Sequence, residues 1–454
     1  MNKPEYLISA HAAKLFPVLA DTNREQRITS IFLSVLCQVP DFAQVVLGSL
    51  DVRVSARTKL QAFSEVVFRG DVGSGNRPDG LVIVTNGKNT WSALVEAKIA
   101  NSELDAEQVK RYVELAREHG IDAVVTISNQ FVAKADQSPV VVPKTLLRKT
   151  DLFHWSWSWI ATQCEVLNAQ DAIADRDHQF LTKQFLDFLS HPKTGVERFT
   201  QMPPGWKEVV QEVTNGTRLL KSSPDVETVV AAWFAELRDL SLHMSSNVGA
   251  QVAVRLERKH TSDSNLRLRA GIDELVSQQT LSGVLLVPNA ASDISIEASL
   301  ATRTIAVGMS LKARLDRKSS KARVNWLVRM LKSDDPRLHI RAHWPGRTPS
   351  TMKSVEELRQ DPDLILPEKA DALPHAFEVI LLERSGKRFP GRKTFIEDIE
   401  RLVAEFYELA GVDLRAWHAA PPAPGKSSRN IDPDDPVEKI VVSETTTVTI
   451  EPEA

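Results

Sequence analysis

The chain has 454 residues, 42% of them hydrophobic, with 56 Lys and Arg against 59 Asp and Glu and a net charge of −3. That leaves ample apolar material for two or three cored domains, and the average charge does not mark the whole chain as a polyanion binder. The two cysteines, Cys37 and Cys164, stand far apart, which argues against a disulfide scaffold or a zinc site and fits a reducing compartment. No apolar run reaches the length of a membrane span, and the N-terminal stretch, interrupted by Glu5, His11 and Lys14, is a poor signal peptide. A cytoplasmic protein without membrane association is expected.

In chain order, Ile28, Ile31, Phe32, Val35 and Leu36 recur at helical spacing within residues Asp21 to Leu36. Asp21 or Thr22 can cap that helix, and Val39-Pro40 stops it. Asp41 to Leu47 reads as a second, short helix. Ser64 to Phe68 reads as a strand; its Glu65 is a candidate site carboxylate, although a lone carboxylate on a strand is more often a rim residue. The glycine-rich loop Gly70 to Asn76 lacks the Gly-Lys-Ser/Thr ending of a P-loop and the spacing of a dinucleotide fingerprint, so no nucleotide cofactor is expected.

Two apolar runs follow, Leu81 to Val84 and Trp91 to Val95, around the turn Asn86-Gly87-Lys88-Asn89. They read as a β-hairpin. Asp79 precedes the first run, and Glu96-Ala97-Lys98 ends the second. Period-2 alternation sends the Glu96 and Lys98 side chains to one face. Asp105 to Glu118 is an amphipathic helix with Gly120 at its C-terminal cap, and on it Gln108 and Tyr112, four apart, share a face. Ala123 to Ser128 is a buried-strand pattern, Val140 to Pro143 a shorter one. Leu152 to Trp159 alternates aromatic and small polar residues as a last strand, with Ser156 or Ser158 capping a helix from Trp159 to Leu167. Its tryptophans and His154 read as packing and structural residues in preference to base-stacking or catalytic ones.

The Asp, Glu and Lys around the hairpin have a chemical use together. Two carboxylates can hold Mg2+ through oxygen while it keeps several waters. Such an ion polarises a phosphodiester and lowers the pKa of a bound water, and a lysine beside it can orient that water and offset developing charge. Glu-x-Lys alone is a weak signal, since a hairpin with a charged rim gives the same pattern. Taken with Pro78-Asp79, and with sixteen residues between Asp79 and Glu96, it resembles the motif of the PD-(D/E)XK nuclease superfamily, the restriction-endonuclease-like fold. The resemblance covers roughly Asp21 to Ile160. It implies a mixed central sheet flanked by helices, metal ligation by Asp79 and Glu96 (Mg2+ or Mn2+), and assistance of the nucleophilic water by Lys98. Gln108 and Tyr112 resemble the Gln-x-x-x-Tyr element of the exonuclease-related branch, and Glu25 is a looser match to the acidic residue of the first helix. DNA as substrate, and a restriction or phage-defence role, are implied by the resemblance alone. Cutting both strands with one site per chain would favour a homodimer.

Residues 1–170 are thus expected to form the nuclease-like domain and 171–204 a helical connection and linker. Residues 205–418 are read as an α+β domain, and the Pro- and charge-rich 419–454 as a disordered tail in which Val441 to Ile450 could form a strand on binding. In the α+β part, Trp206 to Glu212 and Asp225 to Leu240 are helical patterns. Val252 to Leu256, Leu266 to Ala270, Gly283 to Val287, Ile294 to Leu300 and Thr304 to Val307 are strand-like, and Thr394 to Ala410 is a closing helix. From Arg303 to Arg347 twelve Lys and Arg face only Asp316, Asp334 and Asp335. Lys312, Arg314, Arg317, Lys318, Lys321, Arg323 and Arg329 are candidate phosphate contacts, partly on a basic amphipathic helix from Lys321 to Lys332. A catalytically silent nucleic-acid binder and a protein-interaction scaffold are the alternative readings.

Overall fold

The computed structural model describes residues 4–16, 23–69, 77–100, 102–132, 135–367 and 373–417. The proposed caps Asp21 and Thr22, the loop 70–76 and the segment 441–450 lie outside them.

The first half reads β1 (Leu7–Ala12), α1 (Arg24–Gln38), α2 (Pro40–Gly48), β2 (Lys59–Phe68), β3 (Gly80–Asn86), β4 (Asn89–Ala97), α3 (Ala106–Glu118), β5 (Ala123–Ser128), β6 (Asp151–Ser156), α4 (Trp157–Ala169) and α5 (Arg176–Ser190). The six strands form one mixed sheet in sequential order. β1 to β4 are antiparallel neighbours, whereas β4, β5 and β6 run parallel. The change of sense falls at β4, because α3 provides the crossover that a parallel neighbour requires. One face of the sheet packs on α1, α2, α4 and α5 around Phe32, Phe42, Trp157 and Phe185, the other on α3 around Val109, Tyr112 and Val113.

The second half follows with α6 (Trp206–Thr214), α7 (Pro224–Val248), β7 (Ala253–Val254), α8 (Arg258–Ser262), α9 (Ser264–Gln278), β8 (Thr280–Leu286), β9 (Ile294–Ser299) and β10 (Thr304–Lys312). It ends with α10 (Ser320–Val328), β11 (Leu338–His343), β12 (Thr351–Ser354), α11 (Val355–Gln360), β13 (Ala376–Arg384) and α12 (Arg392–Phe406). Its seven strands form a wholly antiparallel sheet in the order β12-β11-β13-β10-β9-β8-β7, with a core of its own built on Trp206, Trp233, Phe377 and Phe395.

Four local expectations are corrected. Trp157 to Trp159, read as the end of the last strand, form the first turn of α4, because the Ser156 side chain accepts from the Trp159 amide and caps the helix there. Residues 266–270 are helical, inside α9: the Asp263 side chain accepts from the Asn265 and Leu266 amides, and Leu268, Ile272 and Leu275 share the inward face. Val140–Val142 forms no strand, because Pro139 and Pro143 flank it and β6 already occupies the edge of β5. The edge strand β1 was not foreseen; it pairs with β2 through an irregular register. No single helix among the described residues is long and apolar enough to cross a membrane.

Candidate active site

The site forms where the ends of β3 and β4 meet the start of α1. Gly80 allows the approach, for a Cβ there would come within 2.6 Å of Leu33 Cδ1 on α1 and 3.2 Å of the Phe63 carbonyl oxygen. Asp79 immediately precedes it, and the amide of Ala97 donates to Asp79 Oδ2 at 2.9 Å. This bond ties the two halves of the Asp…Glu-x-Lys pattern across the hairpin. On β2, Glu65 takes a positive φ of 53°, and its amide donates to the Asp79 carbonyl at 3.1 Å. That kink fixes the backbone on which Asp79 sits.

Glu96 is only 2% exposed, and its Oε1 accepts from Lys98 Nζ at 2.7 Å. Lys98 Nζ also lies 3.7 Å from Glu25 Oε2, and the Ile99 amide donates to Glu25 Oε1 at 3.4 Å. The first turn of α1 therefore brings a third carboxylate to the Glu96–Lys98 pair. Glu65 contributes its backbone and is not among the charges acting on Asp79, Glu96 or Lys98, whereas Glu25 acts on all three. Gln108 Nε2 donates to the Tyr112 hydroxyl at 3.1 Å, and Tyr112 is 2% exposed beside Glu96.

The electrostatics are those of a site short of positive charge. Burial, then the Glu96 carboxylate, hold Asp79 far above the usual carboxylate range. Burial likewise raises Glu96, although Lys98 opposes it. Lys98 is pulled down by burial but pushed higher by Glu96, Glu25 and Asp79, and the net shift is upward. It is therefore a firmly charged ammonium. Burial and the Glu96 charge also raise the Tyr112 hydroxyl, which stays a neutral donor.

Whether these residues fit a divalent cation can be judged from their own bonding. Glu96 Oε2 is buried without a hydrogen-bond partner, a condition that costs about 1–3 kcal/mol or more for a charged group. Two carboxylates raised by burial, Asp79 further by Glu96 and Glu96 further by Glu25, are the donor set that a hard cation neutralises, and Mg2+ takes one or two protein carboxylates and keeps waters for the rest. Asp79 and Glu96 fit it on those grounds. Among the described residues no group of three or more His, Cys, Asp or Glu is disposed to hold a metal, so any ion here would rest on this pair together with water and backbone oxygens.

Sequence reasoning missed Trp157. Fully buried at the start of α4, it donates Nε1–H to the Lys98 carbonyl at 2.9 Å, holding the backbone that presents the lysine. The next residues are also fixed: the Ala100 amide donates to the Gly195 carbonyl at 2.7 Å, and Asn129 Nδ2 donates to the same oxygen at 2.8 Å. The neighbouring tryptophans are largely buried, Trp155 at 3% and Trp159 at 8% exposed. His154 is buried between Thr126 Oγ1 at 2.9 Å and the Gln130 carbonyl at 3.0 Å, and burial pulls it down to about 4. It is a neutral structural histidine.

The basic stretch folds less positively than it reads. Lys321 pairs with Asp363, Lys332 with Asp413, Arg337 with Asp335, Glu383 and Glu405, Arg341 with Glu378, and Arg314 with Asp316. Arg323 is 6% exposed and turned inward, its Nε donating to the Arg317 carbonyl and its Nη1 to the Pro374 carbonyl. Lys312, Arg317, Lys318 and Arg329 are exposed. No protein-family model, curated protein or solved structure was found to match the chain.

Proposed function

We propose that the protein is a metal-dependent nuclease of the PD-(D/E)XK kind, its first half restriction-endonuclease-like and acting on DNA. One observation carries the reading. Asp79, Glu96 and Lys98, the three residues of the motif, meet at one end of the central β3–β4 pair, with Lys98 bonded to Glu96 at 2.7 Å and a Glu96 oxygen left without a partner. The order of α1, three antiparallel strands, α3 and a parallel strand supports it.

Asp79 and Glu96 would hold Mg2+ or Mn2+, which when bound supplies Lewis-acid polarisation of the phosphodiester and a water of lowered pKa. Lys98, kept protonated by its carboxylate neighbours, donates a hydrogen bond that orients the attacking water and places positive charge beside the developing phosphorane; it is not a general base. Glu25 restrains the ammonium, and the Gln108–Tyr112 pair supports Glu96 from α3. Incubation with linear duplex, circular duplex and single-stranded DNA in Mg2+ or Mn2+ tests this. Cleavage of at least one is expected, and salt-sensitive binding to all three without cleavage would favour a silent binding protein instead.

The raised carboxylates make metal affinity depend on pH. Asp79 and Glu96 must give up protons to bind a cation, so Mn2+ affinity should rise about tenfold per pH unit below the raised pKa of Asp79. Calorimetry between pH 6 and 8 in buffers of different ionisation enthalpy should show proton release by the wild type. Asp79→Asn should remove the share of that release that comes from Asp79.

In the second half, Arg317 and Lys318 are the better candidates for phosphate contact. Replacing each with Ala should weaken duplex binding and reduce the salt slope by about 1. Arg323→Ala should instead cost about 2–4 kcal/mol of stability, because it strands the buried Pro374 carbonyl, loses the bond to the Arg317 carbonyl and removes packing. Salt-dependent binding isotherms and denaturant unfolding separate the two effects.

A further inference from the structure

Away from the carboxylate–lysine site, β6 and the start of α4 face β7, β8 and α7 across a cavity of about 560 Å3. That volume is within the range of small-molecule sites. Phe153, Trp155 and Trp159 form one wall, and Val254 and Leu286 another. Arg238 of α7 lines it as well. Arg238 is half-buried, and burial alone pulls its guanidinium down to about 10.

Among the described residues no carboxylate pairs with Arg238, and no charge contributes to its shift. Several other arginines of this half have partners, Arg323 among them through two carbonyl oxygens. Arg337, Arg341, Arg388 and Arg401 are ion-paired, and Arg267, also lowered by burial alone, covers the Phe234 ring at 3.9 Å. Leaving a guanidinium buried without a counter-charge is costly, and its planar fork of donors matches an oxyanion. Asp51 and Asp136 are exposed residues in the cavity wall. They would repel a second anionic group and accept from hydroxyl or amino groups.

We propose that this cavity binds a phosphomonoester of mononucleotide size, with its phosphate on Arg238 and its sugar and base between the aromatic wall and the two aspartates. No sequence motif announces such a site, since its residues are gathered from positions 49 to 286. The proposal does not depend on the nuclease reading.

Calorimetry on the full chain tests it, with the four 5′-ribonucleoside monophosphates, the parent nucleosides and inorganic phosphate as probes. At least one monophosphate should bind saturably at one per chain, and at least tenfold more tightly than its nucleoside or free phosphate. Arg238→Gln should weaken that binding at least tenfold, and Asp79→Asn should leave it unchanged. Ala253→Phe, which fills the cavity from the opposite wall, should weaken it as well and decides the matter if Arg238→Gln does not fold. Absence of saturable binding by all four monophosphates at millimolar concentration would overturn the proposal. So would equal binding of the nucleoside, or binding that survives both substitutions.

Discussion

Asp79→Asn should give a protein that is more stable than the wild type near pH 8 and does not cut DNA. In the folded chain burial, then Glu96, hold the Asp79 carboxyl far above its ordinary value of about 4. Between those two values the folded state binds more protons than the unfolded state, so stability falls as pH rises through the window. Above the raised pKa the whole penalty is present. Asparagine carries no charge there and can still accept from the Ala97 amide. The expected gain is about 1–3 kcal/mol at pH 8, shrinking toward zero as pH falls to about 4. Adding Mg2+ should stabilise the wild type and not the variant, because only a ligand that binds the folded state shifts the equilibrium. Cleavage should fall by about 10³-fold or more. Thermal melts from pH 4 to 8.5, with and without Mg2+, check the stability part. A variant less stable than the wild type at pH 8 would refute the charge-strain account.

The second large effect is expected at Trp157. Its indole is fully buried against Phe32, with ring centroids 5.9 Å apart in an edge-to-face arrangement. Trp157→Ala should cost about 3–5 kcal/mol from lost burial and the cavity left behind. Trp157→Phe is the more informative change. It keeps most of the apolar volume but removes the N–H donated to the Lys98 carbonyl, leaving a buried acceptor unmet at about 1–3 kcal/mol. Trp157 is a positioning residue, so the consequence for cleavage runs through Lys98. A displacement of about 1 Å can cost 10²-fold in rate. Trp157→Phe should therefore lower kcat about 10–100-fold with little change in KM. A purely structural role would lower stability and leave kcat of the folded fraction intact.

Local order in the first half was legible because each element states its period over enough residues. The α1 helix, the β3–β4 hairpin and the α3 face carrying Gln108 and Tyr112 read directly, whereas of the two serines offered as the α4 cap only the structure selects Ser156. The Glu96–Lys98 contact follows from strand alternation. The reach of Glu25 does not, because it depends on α1 lying against Gly80, a tertiary fact. The errors have the same origin. Leu266 to Ala270 alternates like a strand only in a five-residue window, and extending it to Leu275 restores the helical period. The basic stretch seemed rich in unpaired charge because its partners Asp363, Glu378, Glu383, Glu405 and Asp413 come from later in the chain. Trp157 read as packing, which it is. That its indole N–H also holds the lysine strand shows only when β6 and β4 are seen on either side of β5.

The most direct test of the central claim is nicking and linearisation of supercoiled plasmid by the wild type, Asp79→Ala and Lys98→Ala side by side, with Mg2+, with Mn2+ and with EDTA. Metal-dependent cutting by the wild type that both substitutions reduce at least 10²-fold, with all three proteins folded, is the predicted result. Cutting that persists in both variants, or that ignores EDTA, would contradict the assignment of Asp79, Glu96 and Lys98 as the active site.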